Sequence, residues 1–207
     1  YAGIKQAMAD IGGSAELSLD DSWVQKPDVA VVVFGEEPYA EGQGDADTLL
    51  YRNGLKTDLE LIRKLKSKNI PVVSIFLTGR PLWVNAEINS SDAFVVAWLP
   101  GTEGGGLADV LVADKENRPR HNFTGRLSFD WPNAELNTGD SSQPVASLLL
   151  KSGQGLSYGK SSIVSNKLNE AAMESKSSAE RVVFSGSTKA PWKAFVGDSS
   201  NWSINVS

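Results

Sequence analysis

The stretch VVVFGEEPYAEGQGD, residues 31–45, sets Glu36, Glu37, Glu41 and Asp45 directly after an apolar run that ends in glycine. Carboxylates gathered in this way can hold a hard cation, exchange protons with a substrate, or stand in water on a charged turn. A calcium loop spaces its acidic ligands at every second residue and closes on a glutamate. EEPYAEGQGDAD does not follow that spacing. Proton transfer asks instead for a carboxyl group within reach of the reacting bond, in a partly apolar place that alters its pKa. Glu41 has the best reach, because it stands in mid-loop with Gly42 behind it and GQG can carry it away from the strand. Glu36 follows the glycine that ends the strand, which suits a structural hydrogen-bonding role. Tyr39 is expected to pack over the loop, and Asp45 to cap the turn that follows.

Other chemistry-bearing patterns are thin. LPGTEGGG, residues 99–106, is glycine-rich but has no Lys-Ser/Thr pair and does not match the dinucleotide fingerprint. Its glycines are expected to permit a tight turn and close packing where a helix starts. His121 is the one histidine and there is no cysteine, which excludes multi-histidine and thiolate metal sites, cysteine nucleophiles and disulfides. His121 reads as an incidental loop residue, and no Ser–His–Asp order is apparent. The expectation is no metal and no cofactor.

These residues need a scaffold, and 207 residues, 41% of them hydrophobic, are enough to bury one core. The formal net charge is -5 and the basic residues are scattered apart from RKLKSK, so a nucleic-acid partner is not expected. No apolar run approaches the roughly 20 residues that span a bilayer. The chain begins YAGIKQAMAD, without a starting Met or a signal-peptide pattern, and is expected to be processed or cut from a longer protein.

Residues 4–11 read as a short helix with Ile4, Ala7, Met8 and Ile11 on one stripe. AELSL, residues 15–19, suggests a short strand. DVAVVVFG is a β-branched run of the kind that is covered on both faces in parallel sheets. GLKTDLELIRKLKSKN repeats Leu55, Leu59, Ile62 and Leu65 at helical spacing, with basic residues opposite. A second strand ends at Leu77 and a third spans 93–98, and a helix follows near 104–113. The rhythm predicts the α/β class: an open, mostly parallel sheet sandwiched by helices. Ligands of such sheets sit at the carboxyl ends of the strands, where the acidic loop, TGRPLW and LPGTEGGG all fall. Residues 1–158 are expected to form this domain, 159–179 a serine-rich linker, and 180–207 the start of an all-β module.

The motifs VVVFGEEPYAEGQGD, IPVVSIFLTGRPL, DAFVVAWLPGTEGGGLADVL, NFTGRLSFDWP and GQGLSYG stand in the order found in glycoside hydrolase family 3. Over residues 1–158 the chain resembles the second, α/β-sandwich domain of that family, on its β-glucosidase and exo-β-glucanase branch. The resemblance implies a retaining glycosidase whose aspartate nucleophile lies on a separate N-terminal barrel domain. It also implies an acid/base glutamate in a motif like G-E-x-P-Y-x-E-x-x-G-D, which is Gly35, Glu36, Pro38, Tyr39, Glu41, Gly44 and Asp45 here. Glu41 is thereby the implied acid/base, and Arg80 and Glu103 are read as structural. The implied substrate is a β-glucan oligosaccharide, the implied location secreted or periplasmic, and the chain alone is expected to be inactive without its barrel. The competing reading is a non-catalytic glycan-binding or scaffolding module that stacks sugars on tryptophans such as Trp83, Trp98 and Trp131.

Overall fold

The computed structural model describes residues 1–19, 22–39, 42, 48–51, 56–134, 148–160, 164–165 and 167–171. The chain divides into two compact units, Tyr1–Ala172 and Met173–Ser207, and all described residues belong to the first. Glu41, Asp45, Leu55 and the β module expected from residue 180 lie outside the described residues.

Three parallel strands form the main sheet in the order β1 (Ala30–Gly35), β2 (Val72–Leu77), β3 (Ala93–Trp98). Parallel neighbours need a crossover between them. Helix α2 (Thr57–Ser67) lies on the first connection and α3 (Asn85–Ser90) on the second. α1 (Ala2–Asp10) packs along α4 (Gly104–Leu111), and two short strands, β4 (Trp131–Pro132) and β5 (Leu148–Leu150), pair antiparallel. The predicted α/β class is the one observed. No helix among the described residues is long and apolar enough to cross a membrane.

α2 shows how local sequence sets an element. Leu59, Ile62 and Leu65 turn one stripe inward, while Asp58 and Glu60 occupy the first turn and Lys64 and Lys66 the last, each sign favoured by the helix dipole. The helix stops where Asn69 takes φ 53°, a left-handed conformation that asparagine tolerates. The Asn69 and Ile70 amides then donate to the carbonyls of Lys66 and Leu65, at 2.9 and 3.2 Å, which satisfies the frayed end. Ile70 is buried and feeds directly into β2.

The core gathers Val32 and Phe34 of β1, Val72 and Phe76 of β2, and Ile62 and Leu65 of α2. Tyr51 meets Phe76 edge-on with ring centroids 5.0 Å apart, and Phe34 lies 5.6 Å from the same ring. Each such side chain contributes about 1.5–3 kcal/mol by leaving water.

Several details depart from the sequence expectation. β2 is covered on both faces, but β1 is not: Val32 and Phe34 are buried, whereas Val31 and Val33 are 37% and 56% exposed. β1 is one of the two edge strands of this sheet among the described residues. Residues 15–19 form no strand, and Leu17 and Leu19 are exposed. Their alternation is strand-like, but no neighbouring ladder holds them. α3, with six residues, was invisible because NAEINS is shorter than two turns and shows no apolar period. Within the stretch read as linker, residues 167–171 are tied down. Asn89 exchanges hydrogen bonds with the backbone of Leu168, Asn85 donates to the Asn169 carbonyl at 2.8 Å, and Arg63 pairs with Glu170.

Candidate functional site at the carboxyl ends of the strands

The carboxyl ends of β1, β2 and β3 meet around one threonine. Glu36 continues β1 for one more rung, its amide donating to the Leu77 carbonyl at 3.1 Å. Thr78 leaves β2 with its amide donating to the Trp98 carbonyl, 3.3 Å away. That bond is possible because the β2–β3 register shifts at Phe76/Leu77 and Trp98 takes φ 55°. A positive φ is uncommon for a bulky residue and is held by the surrounding structure. Here Trp98 is held edge-on against Phe129, at 5.8 Å, and beside Trp131, at 5.9 Å.

Glu36 is the centre of the polar contacts. Its Oε1 accepts from Arg80 Nε at 2.9 Å, and its Oε2 accepts from the Thr78 hydroxyl at 2.6 Å. A longer bond, 3.4 Å, comes to Oε2 from the Gly79 amide. The Thr78 hydroxyl in turn accepts from the Arg80 amide at 3.2 Å. With side chains only 11% and 27% exposed, the Glu36–Arg80 pair is better shielded from water than an ordinary surface pair. The Arg80 guanidinium also lies over the Tyr39 ring, 4.6 Å from its centroid. One arginine therefore grips both Glu36 and Tyr39, on either side of Glu37 and Pro38.

The acidic loop returns to the sheet through a second set of bonds. Tyr51 donates from its hydroxyl to the Gly35 carbonyl at 3.0 Å and to Asp58 Oδ2 at 2.8 Å, two acceptors that share its proton. Its amide donates to the Trp83 carbonyl at 3.3 Å, and the Trp83 amide donates to the Leu49 carbonyl at 2.7 Å. The loop thus leaves β1 at Gly35 and comes back to the same residue through Tyr51. Glu41 falls between these two anchorages in the sequence.

Tyr39 packs against Arg80 and over Gly79 of the turn after β2, rather than over the acidic loop, and Arg80 pairs with Glu36. Glu36 has the hydrogen-bonding role that its place after the glycine implied. Glu103 stands at the start of α4, exposed, where its carboxylate accepts from the Thr102 hydroxyl at 3.0 Å. In LPGTEGGG the tight turn is at Gly101, φ 55°, and close packing occurs where Gly105 faces Gly3 of α1. His121 is exposed, its amide donating to the Asp109 carbonyl. Thr78 and Tyr51 were missed by sequence reasoning. Thr78 carries a weak signal, as the residue between β2 and the Gly-Arg turn; Tyr51 carries none, since its partners lie sixteen and seven positions away and share no local motif with it.

Away from the site, Glu87 of α3 is buried, and loss of hydration raises its carboxyl pKa, assisted by the negative charge of Asp58. Asp92 is shifted the other way, lowered by its hydrogen bond with Lys66 and by one accepted from the Val72 amide at 2.7 Å.

Comparison with known proteins agrees with this architecture. Residues 1–185 match the model of the glycosyl hydrolase family 3 C-terminal domain. The chain is 46% identical to a crystal structure of an exo-1,3/1,4-beta-glucanase from a Pseudoalteromonas species, with a TM-score of 0.74, covering 83% of this chain and 21% of that one. It is 33% identical to a lysosomal beta glucosidase of Dictyostelium discoideum over 69% of its length and 18% of that protein's. A periplasmic beta-glucosidase of Salmonella typhimurium is 34% identical over 52% of this chain and 13% of the relative. The chain thus spans a fifth or less of these curated relatives. The fold, the ordered motifs and the match over most of the chain together place it in the glycosyl hydrolase family 3 C-terminal domain family.

Proposed function

We propose that this chain is the acid/base-bearing domain of a retaining, exo-acting β-glucosidase or β-glucanase that releases terminal β-D-glucosyl residues from β-glucans. Glu41 is the acid/base, and an aspartate on an N-terminal barrel domain of the longer protein is the nucleophile. The observation that carries this reading is the anchorage of the Glu41-bearing loop. It starts at the carboxyl end of β1, beside the Thr78–Arg80 turn, and is tied to the sheet on both sides. Such an arrangement suits a proton donor offered to a sugar bound on another domain.

In this mechanism the aspartate attacks the anomeric carbon while Glu41 gives its proton to the departing glycosidic oxygen. The bond from that carbon to the leaving group breaks, and a glycosyl ester forms. Glu41, now a carboxylate, takes a proton from water as the water attacks the anomeric carbon and frees the aspartate. A retaining pair of this kind stands about 5–5.5 Å apart. The named location of the Salmonella relative supports action outside the cytoplasm, in the periplasm or after secretion.

The competing glycan-binding reading draws no support from Trp83, Trp98 or Trp131. Trp83 and Trp131 are buried, and Trp98 is half-buried against Phe129 and Trp131, so these rings serve the core. The deciding experiment changes Glu41 to Ala in the longer enzyme and compares an aryl β-glucoside bearing a very good leaving group with a laminari- or cello-oligosaccharide. Large loss of kcat/KM on the oligosaccharide, little on the activated substrate, and acceleration by azide are expected. Equal, modest losses without azide rescue would remove Glu41 from the role.

A further inference from the structure

We propose that Arg80 is a positioning residue for the proton-donating loop: by pairing with Glu36 and stacking on Tyr39, it fixes the direction in which the chain leaves β1 toward Glu41. This rests on the reading of Glu41 as the acid/base.

Glu36 and Tyr39 stand five and two positions before Glu41 in the sequence, and both are held by the same guanidinium. Arg80 is itself fixed at its root, because its amide donates to the Thr78 hydroxyl and Thr78 is bonded to the ends of both β1 and β3. The grip is therefore referred back to the rigid sheet. Gly79 is part of the device: a Cβ there would lie 2.8 Å from the Tyr39 hydroxyl oxygen, so glycine lets the ring settle over the turn. A planar guanidinium can bond a carboxylate through its edge and stack through its face at once, which a lysine ammonium cannot. Proton transfer is sensitive to such placement, since a misplacement of about 1 Å can cost on the order of 100-fold in rate.

A positioning role differs from a purely structural one in which reaction it slows. Protonation of the leaving group matters for an oligosaccharide and hardly matters for a dinitrophenyl glucoside in its first step. The test measures kcat/KM on both substrates in the longer enzyme for Arg80→Met, Arg80→Lys and Glu41→Ala, with thermal unfolding recorded for each. Arg80→Met is expected to lose about 10- to 100-fold on the oligosaccharide and less than about 3-fold on the dinitrophenyl glucoside. Arg80→Lys, which keeps the charge but not the stacking plane, should fall between it and the parent. Should Arg80→Met not fold, Tyr39→Leu gives the same reading by removing the stacking partner alone. Equal losses on both substrates, or no loss, would overturn the positioning role while Glu41→Ala still shows its own substrate dependence. If Glu41→Ala shows none, the acid/base reading fails first and takes the positioning role with it.

Discussion

The Tyr39 hydroxyl stands directly over Gly79, so close that a Cβ built on that glycine would lie 2.8 Å from its oxygen. Gly79 has no left-handed φ to explain its type; the demand is for space. Gly79→Ala must therefore push the Tyr39 ring away from Arg80. Because Tyr39 is partly exposed the ring can yield, and the expected cost is about 0.5–1 kcal/mol, the size of a lost cation–π contact at a solvent-accessible site. Denaturant unfolding checks this best as a cycle. In a Tyr39→Leu background the same Gly79→Ala change should cost markedly less, and an equal cost in both backgrounds would mean that the crowding is not with Tyr39.

How much of this was legible beforehand depended on range. α2 and the strands β1 to β3 declared themselves through apolar period and β-branched runs, because each is dictated by its own residues. The acidic loop was legible as a motif. The grip on that loop was not: Glu36 reaches Arg80 across 44 positions and Thr78 across 42, and no local pattern encodes such a pair. The docking of residues 167–171 was hidden for the same reason, since Asn85 and Asn89 find their partners about eighty residues away. The uncovered face of β1 could not be read either, because a run such as AVVVF looks alike at the centre and at the edge of a sheet.

Glu87 should make the protein's stability rise on mild acidification. Burial raises its folded pKa above the ordinary 4.5, so the ionised form is disfavoured in the folded state. That penalty is fully present above the folded pKa and disappears as pH falls below the unfolded value. Glu87→Gln should accordingly raise the melting temperature at pH 7, and its advantage should shrink as pH approaches 4. An advantage independent of pH would mean that the amide gains something other than relief from ionisation.

Asp92 should act with the opposite sign. Its folded pKa lies below the ordinary 3.8, through Lys66 first and the Val72 amide second. Its contribution is present at neutral pH and is lost as pH falls through the folded value. Since both side chains of the pair are well exposed, Asp92→Asn should cost no more than about 1 kcal/mol at pH 7. The cost should fade as pH falls below the ordinary 3.8 and should shrink in high salt. Melting curves of the two proteins that stay parallel down to pH 2 would contradict the assignment.

Tyr51 tests the far anchorage of the acidic loop independently of Arg80. Its hydroxyl meets the Gly35 carbonyl and Asp58, and the residue is buried, so Tyr51→Phe removes those bonds while keeping the ring against Phe76. A loss of about 1–3 kcal/mol in stability is expected. Glu36→Gln weakens the near anchorage, and its partners are Arg80, Thr78 and Gly79 rather than Tyr51. The two stability costs should therefore add within about 0.5 kcal/mol. Activity should not follow that rule. On the proposed reading of Glu41 as the proton donor, one tied end of the loop should leave it part of its placement, and release of both should cost more than the product of the single losses. Oligosaccharide hydrolysis by the double variant of the longer enzyme should thus fall below the multiplicative expectation, while unfolding free energies remain additive. Multiplicative activity losses would show that the two anchorages act on different things, and that only one of them bears on the proton donor.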